Sequence, residues 1–208
     1  MEAEVVDTFP NSALLVIDMQ NDYLHTQGLL QRLGQKVVDG DAVAASVGKL
    51  SDAARSWGIP VIYTLMTTLA DRPQPKAWVD RRGTSGLLDL CMDGGWGQQI
   101  IEPLKPRSED IVIKKQRFSA FIGTDLALVL QSLGVTHLVC AGVASNGCVD
   151  CTVRDGYQYG FSVTVAADAV GAYDLTLHSA TIMNWSRRYA DVHSVDTIVQ
   201  HWEHVNKG

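Results

Sequence analysis

Residues 137–161, HLVCAGVASNGCVDCTVRDGYQYGF, read as a buried strand that breaks at Gly142 and restarts as a helix at a cysteine. Leu138-Val139-Cys140-Ala141 is a short apolar run, Gly142 can turn the chain, and Ser145 and Asn146 are residue types that cap helices. This reading sets Cys148 at a helix N-terminus. There, unpaired backbone N–H groups and the positive end of the macrodipole favour thiolate over thiol. The same N–H groups can hold a developing oxyanion, so one element offers both a nucleophile and an electrophilic stabiliser. The competing reading is a buried free cysteine acting as a small hydrophobe.

Working outward, four more apolar runs, several of them β-branched, alternate with helical stretches: Ala13 to Met19, Pro60 to Met66, Ile111 to Lys115 and Ser162 to Ala166. The intervening helices are Ala42 to Trp57, Asp125 to Leu133, Cys148 to Tyr159 and roughly Tyr173 to Tyr189, with Gly58 and Gly134 as C-terminal stops. A further short strand is expected near His193 to Val195. The alternation predicts an α/β fold, a Rossmann-like three-layer α/β/α arrangement around a mainly parallel sheet, with residues 1–208 as a single domain. The piece from Thr67 to Trp96 is long and irregular, with Pro73, Pro75 and the polar run Asp80-Arg81-Arg82. Because Trp78 and Trp96 give it something to bury, it reads as a lid or a subunit contact.

Composition narrows the function classes. With 208 residues and 46% hydrophobic content the chain can bury a sizeable core without disulfides. Seventeen Lys and Arg against 23 Asp and Glu leave a net charge of −6, and no basic run suits nucleic acid or an anionic membrane. Met1 to Asn11 is acidic and lacks the regions of a signal peptide, so the expectation is a cytoplasmic protein with Cys91, Cys140, Cys148 and Cys151 all reduced.

In a doubly wound sheet ligands bind at the carboxyl ends of the strands, so the polar residue ending each apolar run matters most. The first run ends in Asp18, a carboxylate costly to bury unless it is paired or placed in a site. The third ends in Lys114-Lys115, and strand alternation sends one lysine to each face. The fourth leads to Cys148. A carboxylate beside a lysine can take the thiol proton and return it to a leaving amine. Taken singly, Asp18 can also be a cap and Lys115 a solvated charge, and spacing alone does not join the three.

Three segments in order, VIDMQNDY at 16–23, KKQRFSAFIGTDL at 114–126 and GVASNGCVDCTVRDG at 142–156, resemble the isochorismatase-like cysteine hydrolases. The resemblance covers nearly the whole chain. It implies a catalytic triad of Asp18, Lys115 and Cys148, with Lys115 preferred to Lys114 because the family lysine lies four residues before the serine of S-A-F, here Ser119. It further implies a non-proline cis peptide at Val143-Ala144 and an oxyanion hole from the backbone amides of Ala144 and Cys148. Dimers or tetramers are usual in the family.

Cys148 separates this chain from the vinyl-ether-cleaving isochorismatases, and amide chemistry is favoured. The absence of histidine between His25 and His137 argues against the metal site of nicotinamidases, so neither metal nor other cofactor is expected. The motifs most resemble amidohydrolases of ureido and carbamoyl compounds, such as biuret hydrolase, ureidoacrylate amidohydrolase and N-carbamoylsarcosine amidohydrolase. By position, Tyr23 and Phe118 resemble pocket walls, Gln20 and Asn21 can bind an amide or hold Asp18, and Met66 lies near the site. Phe118 replaces a tyrosine common in ureido-specific relatives, and Leu65 to Thr68 is less polar than expected, so a larger amide stays open. A nicotinamidase-like enzyme, a family member without turnover and a dithiol redox protein using the Cys148 and Cys151 C-x-x-C remain the rivals.

Overall fold

The computed structural model describes residues 11–207 and the side chains of 11–204; apart from Asn11, the acidic N-terminal stretch lies outside the described residues. Its sheet contains β1 (Ser12–Ile17), β2 (Val61–Met66), β3 (Ile111–Lys115), β4 (His137–Val143), β5 (Ser162–Gly171) and β6 (Asp191–His193). Every neighbouring pair is parallel, in the order β3-β2-β1-β4-β5-β6. The chain therefore runs outward from β1 through β2 to β3, then returns to place β4 on the other side of β1. The strand order reverses between β1 and β4, where such sheets open a crevice at their carboxyl ends.

Burial follows this position. Every residue of β1 and of β4 is buried, as expected for central strands covered on both faces. Edge strand β3 alternates instead, burying Ile113 and Lys115 while exposing Val112 and Lys114. Helix α3 (Gly40–Ser56) turns Val43, Val47, Leu50 and Ala54 inward at helical spacing, and it packs on the sheet and on α8 (Val195–Lys207). Helix α6 (Asp150–Gln158) covers β5, and α7 (Leu175–Arg188) packs against β6 and the turn after β4. The result is the three-layer α/β arrangement expected from the alternating pattern.

Some boundaries move for identifiable reasons. The first strand stops at Ile17 rather than Met19, because Asp18 turns the chain with a left-handed φ of 52°. Residues Asn21–Leu24 and Leu29–Arg32 form two single-turn helices, α1 and α2. Strand β5 continues to Gly171 through a register shift opposite Ala141, and Asp168 within the shift accepts from the N–H of Val195 at the start of α8 (2.7 Å). The irregular piece after β2 contains a helix, α4 (Lys76–Thr84), none of whose residues is buried. Helix α5 (Leu126–Ser132) and Gly134, at φ 68°, match the expected helix and its stop.

Candidate active site

At the reversal point the backbones of β1 and β4 nearly touch. Gly142 has φ 119°, and a Cβ there would lie 2.1 Å from the Ile17 carbonyl oxygen. Only glycine permits this approach, which brings Asp18 and the turn carrying Cys148 to a common point. The peptide between Val143 and Ala144 is cis.

Asp18 is fully buried and accepts from the Thr64 hydroxyl at 2.7 Å through Oδ1. Its Oδ2 lies 2.6 Å from Lys115 Nζ in a close ion pair that is not an aligned hydrogen bond, with neither side chain exposed. Strand alternation assigns the two lysines as anticipated. Lys115 enters the site, while Lys114 faces outward and pairs with Asp93 at 2.6 Å. Lys115 also donates to the Arg117 carbonyl at 3.1 Å, which fixes its head group. Burial pushes the Lys115 ammonium down, the Asp18 carboxylate and then Cys148 push it up, and its net position is above the ordinary lysine value.

Cys148 is buried and its thiol meets both Asp18 and Lys115. Here the structure corrects the expectation of a ready thiolate. Residues Ser145–Val149 form one wide turn with Gly147 at φ −138°, ψ −111°, and regular helix starts only at Asp150. No side chain caps either segment, and the Ser145 hydroxyl is buried without a partner. Burial, followed by the Asp18 carboxylate, raises the Cys148 pKa well above the ordinary thiol value; Lys115 opposes both. Burial and Asp18 thus favour the neutral thiol over a stored thiolate, against the pull of Lys115. Thr152 locks the turn by donating to the Cys148 carbonyl (2.7 Å) and accepting from the Ala120 N–H (3.1 Å), which ties it to the S-A-F segment.

The thiol opens into a cavity of about 350 Å³ lined in part by Tyr23, Phe118, Ala144, Cys148 and Tyr173. Tyr23 and Phe118 are thus wall residues. The structure places Gln20, Asn21 and Met66 outside that lining. The Gln20 amide is fully engaged with backbone, accepting from Met66 N–H (2.9 Å) and donating to the carbonyls of Met66 (2.9 Å) and Gln98 (2.8 Å). Asn21 donates to the Trp96 carbonyl at 2.9 Å and faces a separate cavity, which Trp96 shares. Met66 is fully buried beneath the strand end. Gln20 and Asn21 hold the loop after β1 rather than a ligand.

Asp22 shares that holding role: its carboxylate accepts from the N–H groups of Leu29 (3.0 Å) and Cys91 (2.7 Å), so a buried anion ties the irregular segment to the site loop. All four cysteines are free, and Arg154 pairs with Asp150 at 2.7 Å to brace α6. Among the described residues, no group of three or more His, Cys, Asp or Glu comes together as a metal centre, and no helix is long and apolar enough to cross a membrane. The lining also includes polar residues that the sequence does not mark as ligand-facing, among them Arg81, Arg82 and Tyr173. The polar run Asp80-Arg81-Arg82 is the visible signal for the two arginines; Tyr173 has none.

Residues 12–197 match the isochorismatase domain. The chain belongs to the isochorismatase family. Among family relatives, the ureidoacrylate amidohydrolase of Pseudomonas savastanoi pv. phaseolicola (strain 1448A / Race 6) is 35% identical over 170 residues, 76% of this chain and 69% of that protein. The protein of the same name from Acinetobacter baylyi is 29% identical and spans 98% of this chain and 89% of its own length. The N-carbamoylsarcosine amidase of Thermoplasma acidophilum superposes with a TM-score of 0.72 at 26% identity, covering 90% of this chain and 98% of that one. A cysteine hydrolase from Pseudomonas syringae pv. phaseolicola 1448A shares the isochorismatase-family fold at a TM-score of 0.86 and 23% identity, covering 98% and 99%.

Proposed function

We propose that this protein hydrolyses a C–N bond in a small amide, ureido or carbamoyl compound through a thioester on Cys148. The observation that carries the reading is the contact of a buried thiol, which lines a cavity of about 350 Å³, with a buried Asp18–Lys115 pair. Relatives whose names specify amide and ureido hydrolysis support it.

In this mechanism Asp18 accepts the thiol proton as the Cys148 sulfur attacks the carbonyl carbon, so no free thiolate need be stored. The backbone N–H groups of Ala144 and Cys148 receive the oxyanion. Collapse breaks the C–N bond, and Asp18 passes its proton to the departing nitrogen. Water then attacks the thioester, gives its proton to Asp18, and the proton returns to the Cys148 sulfur as the acid leaves. Lys115 keeps Asp18 in place and offsets negative charge in the transition state.

The test is ammonia release from biuret, ureidoacrylate, N-carbamoyl amino acids, nicotinamide and simple aryl amides. Turnover of a ureido or carbamoyl member is expected. Silence across the panel would overturn this reading, and turnover of nicotinamide alone would keep small-amide hydrolysis while removing its ureido and carbamoyl part.

A further inference from the structure

Among the described residues lining the Cys148 cavity, Tyr173 alone carries a buried side-chain polar atom without a hydrogen-bond partner, its hydroxyl oxygen. The oxygen is sealed from water as well. Native proteins pair nearly all such groups, because a hydroxyl that loses its water and gains no partner destabilises the fold. The unpartnered hydroxyls of Ser51 and Ser145 do not line this cavity.

The orphan is held in place rather than left over in a loose loop. Tyr173 lies two residues beyond Gly171, which ends β5 opposite Val143, so it falls beside the turn that carries Cys148. Before it, the Ala172 carbonyl accepts from the Val38 N–H (2.9 Å); after it, Asp174 caps α7 by accepting from the Leu177 N–H (2.9 Å). With both neighbours tied down, the backbone delivers the ring to the carboxyl end of the sheet, where a doubly wound fold binds ligands.

The hydroxyl end, not only the ring, is turned towards the chemistry. Burial raises its pKa well above the ordinary tyrosine value, and the groups that raise it further are, in order, Cys148, Cys91 and Asp18. It therefore stays an O–H through the neutral range, a donor with one hydrogen to give. The cavity walls are largely apolar, with Leu30, Leu87, Leu90 and Phe118 among them. In such surroundings a completed hydrogen bond is strengthened and a missing one is costly.

We propose that Tyr173 is a substrate-binding residue whose hydroxyl donates to an acceptor oxygen of the substrate outside the scissile amide, and so selects for substrates that carry one. A small tilt of the ring as the cavity fills presents the hydroxyl, the kind of side-chain adjustment that commonly accompanies binding. The inference rests on the amidohydrolase reading and adds a recognition residue to it. Tyr173 takes no part in the bond-making steps. Its hydrogen bond is equal in the ground and transition states, which lowers KM without changing kcat.

The experiment compares Tyr173→Phe, which removes the hydroxyl and keeps the ring, with the natural protein. The thermal midpoint without ligand is expected to hold or rise, since the unpaired group is gone, whereas a purely structural hydroxyl would lower it. KM for the best substrate of the panel is expected to rise about tenfold with kcat within about twofold. Calorimetric binding to the Cys148→Ala protein uses acetylurea and isopropylurea, which match in size and differ by a carbonyl oxygen in place of a methyl group. Acetylurea is expected to bind at least about fivefold more tightly, and added Tyr173→Phe to erase that preference while changing isopropylurea affinity less than about twofold. Equal binding of the two ureas, no binding of either, a preference that survives Tyr173→Phe, a loss confined to kcat or a lowered midpoint overturns the proposal. Unchanged Cys148-dependent turnover in Tyr173→Phe would refute this recognition and leave the amidohydrolase standing. Tyr173-dependent binding of acetylurea with no cleavage of any panel member would do the reverse.

Discussion

The Asp18 carboxylate and the Lys115 ammonium meet at 2.6 Å, with no exposure of either side chain to solvent. They arrive from strands separated by β2: Asp18 follows β1, while Lys115 ends the edge strand and reaches across. Thr64 on the intervening strand holds the other Asp18 oxygen.

Breaking such a pair from one side strands the remaining charge. Lys115→Met is expected to lower the free energy of unfolding by about 3–5 kcal/mol, and Asp18→Asn/Lys115→Met to recover much of that stability without recovering turnover. Urea denaturation of the single and double variants measures both. A loss below about 1 kcal/mol in the single variant would mean that the pair is not desolvated as the structure has it.

Thiol alkylation and hydrolysis are predicted to respond in opposite directions to the loss of Asp18. Burial and the Asp18 carboxylate raise the Cys148 pKa while Lys115 lowers it, so Asp18→Asn removes a raising influence and keeps the lowering one. Alkylation of Cys148 by iodoacetamide at neutral pH should become faster than in the unmodified protein, while hydrolysis disappears. Peptide mass spectrometry follows the rate, with the buried Cys140, pushed up to about 12, as an internal check that the fold is closed. Slower alkylation of Cys148 with Cys140 still protected would show that Asp18 governs this thiol by taking its proton and not through the pKa-raising influence of its charge.

A stability effect is expected from His137, far from the chemistry at the start of β4. Burial lowers its pKa from 6.5 to about 4. The folded chain then binds fewer protons than the unfolded chain between those values. The contribution is complete above about pH 6.5 and is lost as pH falls towards 4, amounting to about 3 kcal/mol across the window. Unfolding free energies at pH 7, 5.5 and 4.5 should decline in the natural protein and decline less in His137→Gln. Identical slopes would remove His137 from the account.

The central strands were legible because burial on both faces leaves an unbroken apolar signature, as in Ala13 to Ile17 and Leu138 to Ala141. The lysine pair was legible in part: alternation placed one on each face, but only the resemblance chose Lys115. What escaped depends on three-dimensional contact. Helix α4 has no apolar stripe because it packs on little, so Pro73, Pro75 and Gly83 made its stretch read as loop. Gln20 and Asn21 read from sequence as amides that bind a ligand or hold Asp18, since the sequence does not show that backbone from residues 66, 96 and 98 already consumes them. The helix-pole argument for Cys148 failed for a related reason. Gly147 breaks the helical path, regular helix starts only at Asp150, and burial and then the Asp18 carboxylate disfavour the thiolate.

The central claim is that the sulfur of Cys148 forms and breaks the bond to the acyl group. The most direct measurement compares ammonia release from the best substrate of the ureido and carbamoyl panel by the natural protein and by Cys148→Ala, with circular dichroism and thermal midpoint as fold controls. Covalent catalysis predicts release at the uncatalysed rate for Cys148→Ala with an unchanged fold, whereas substantial turnover by the folded variant would contradict it.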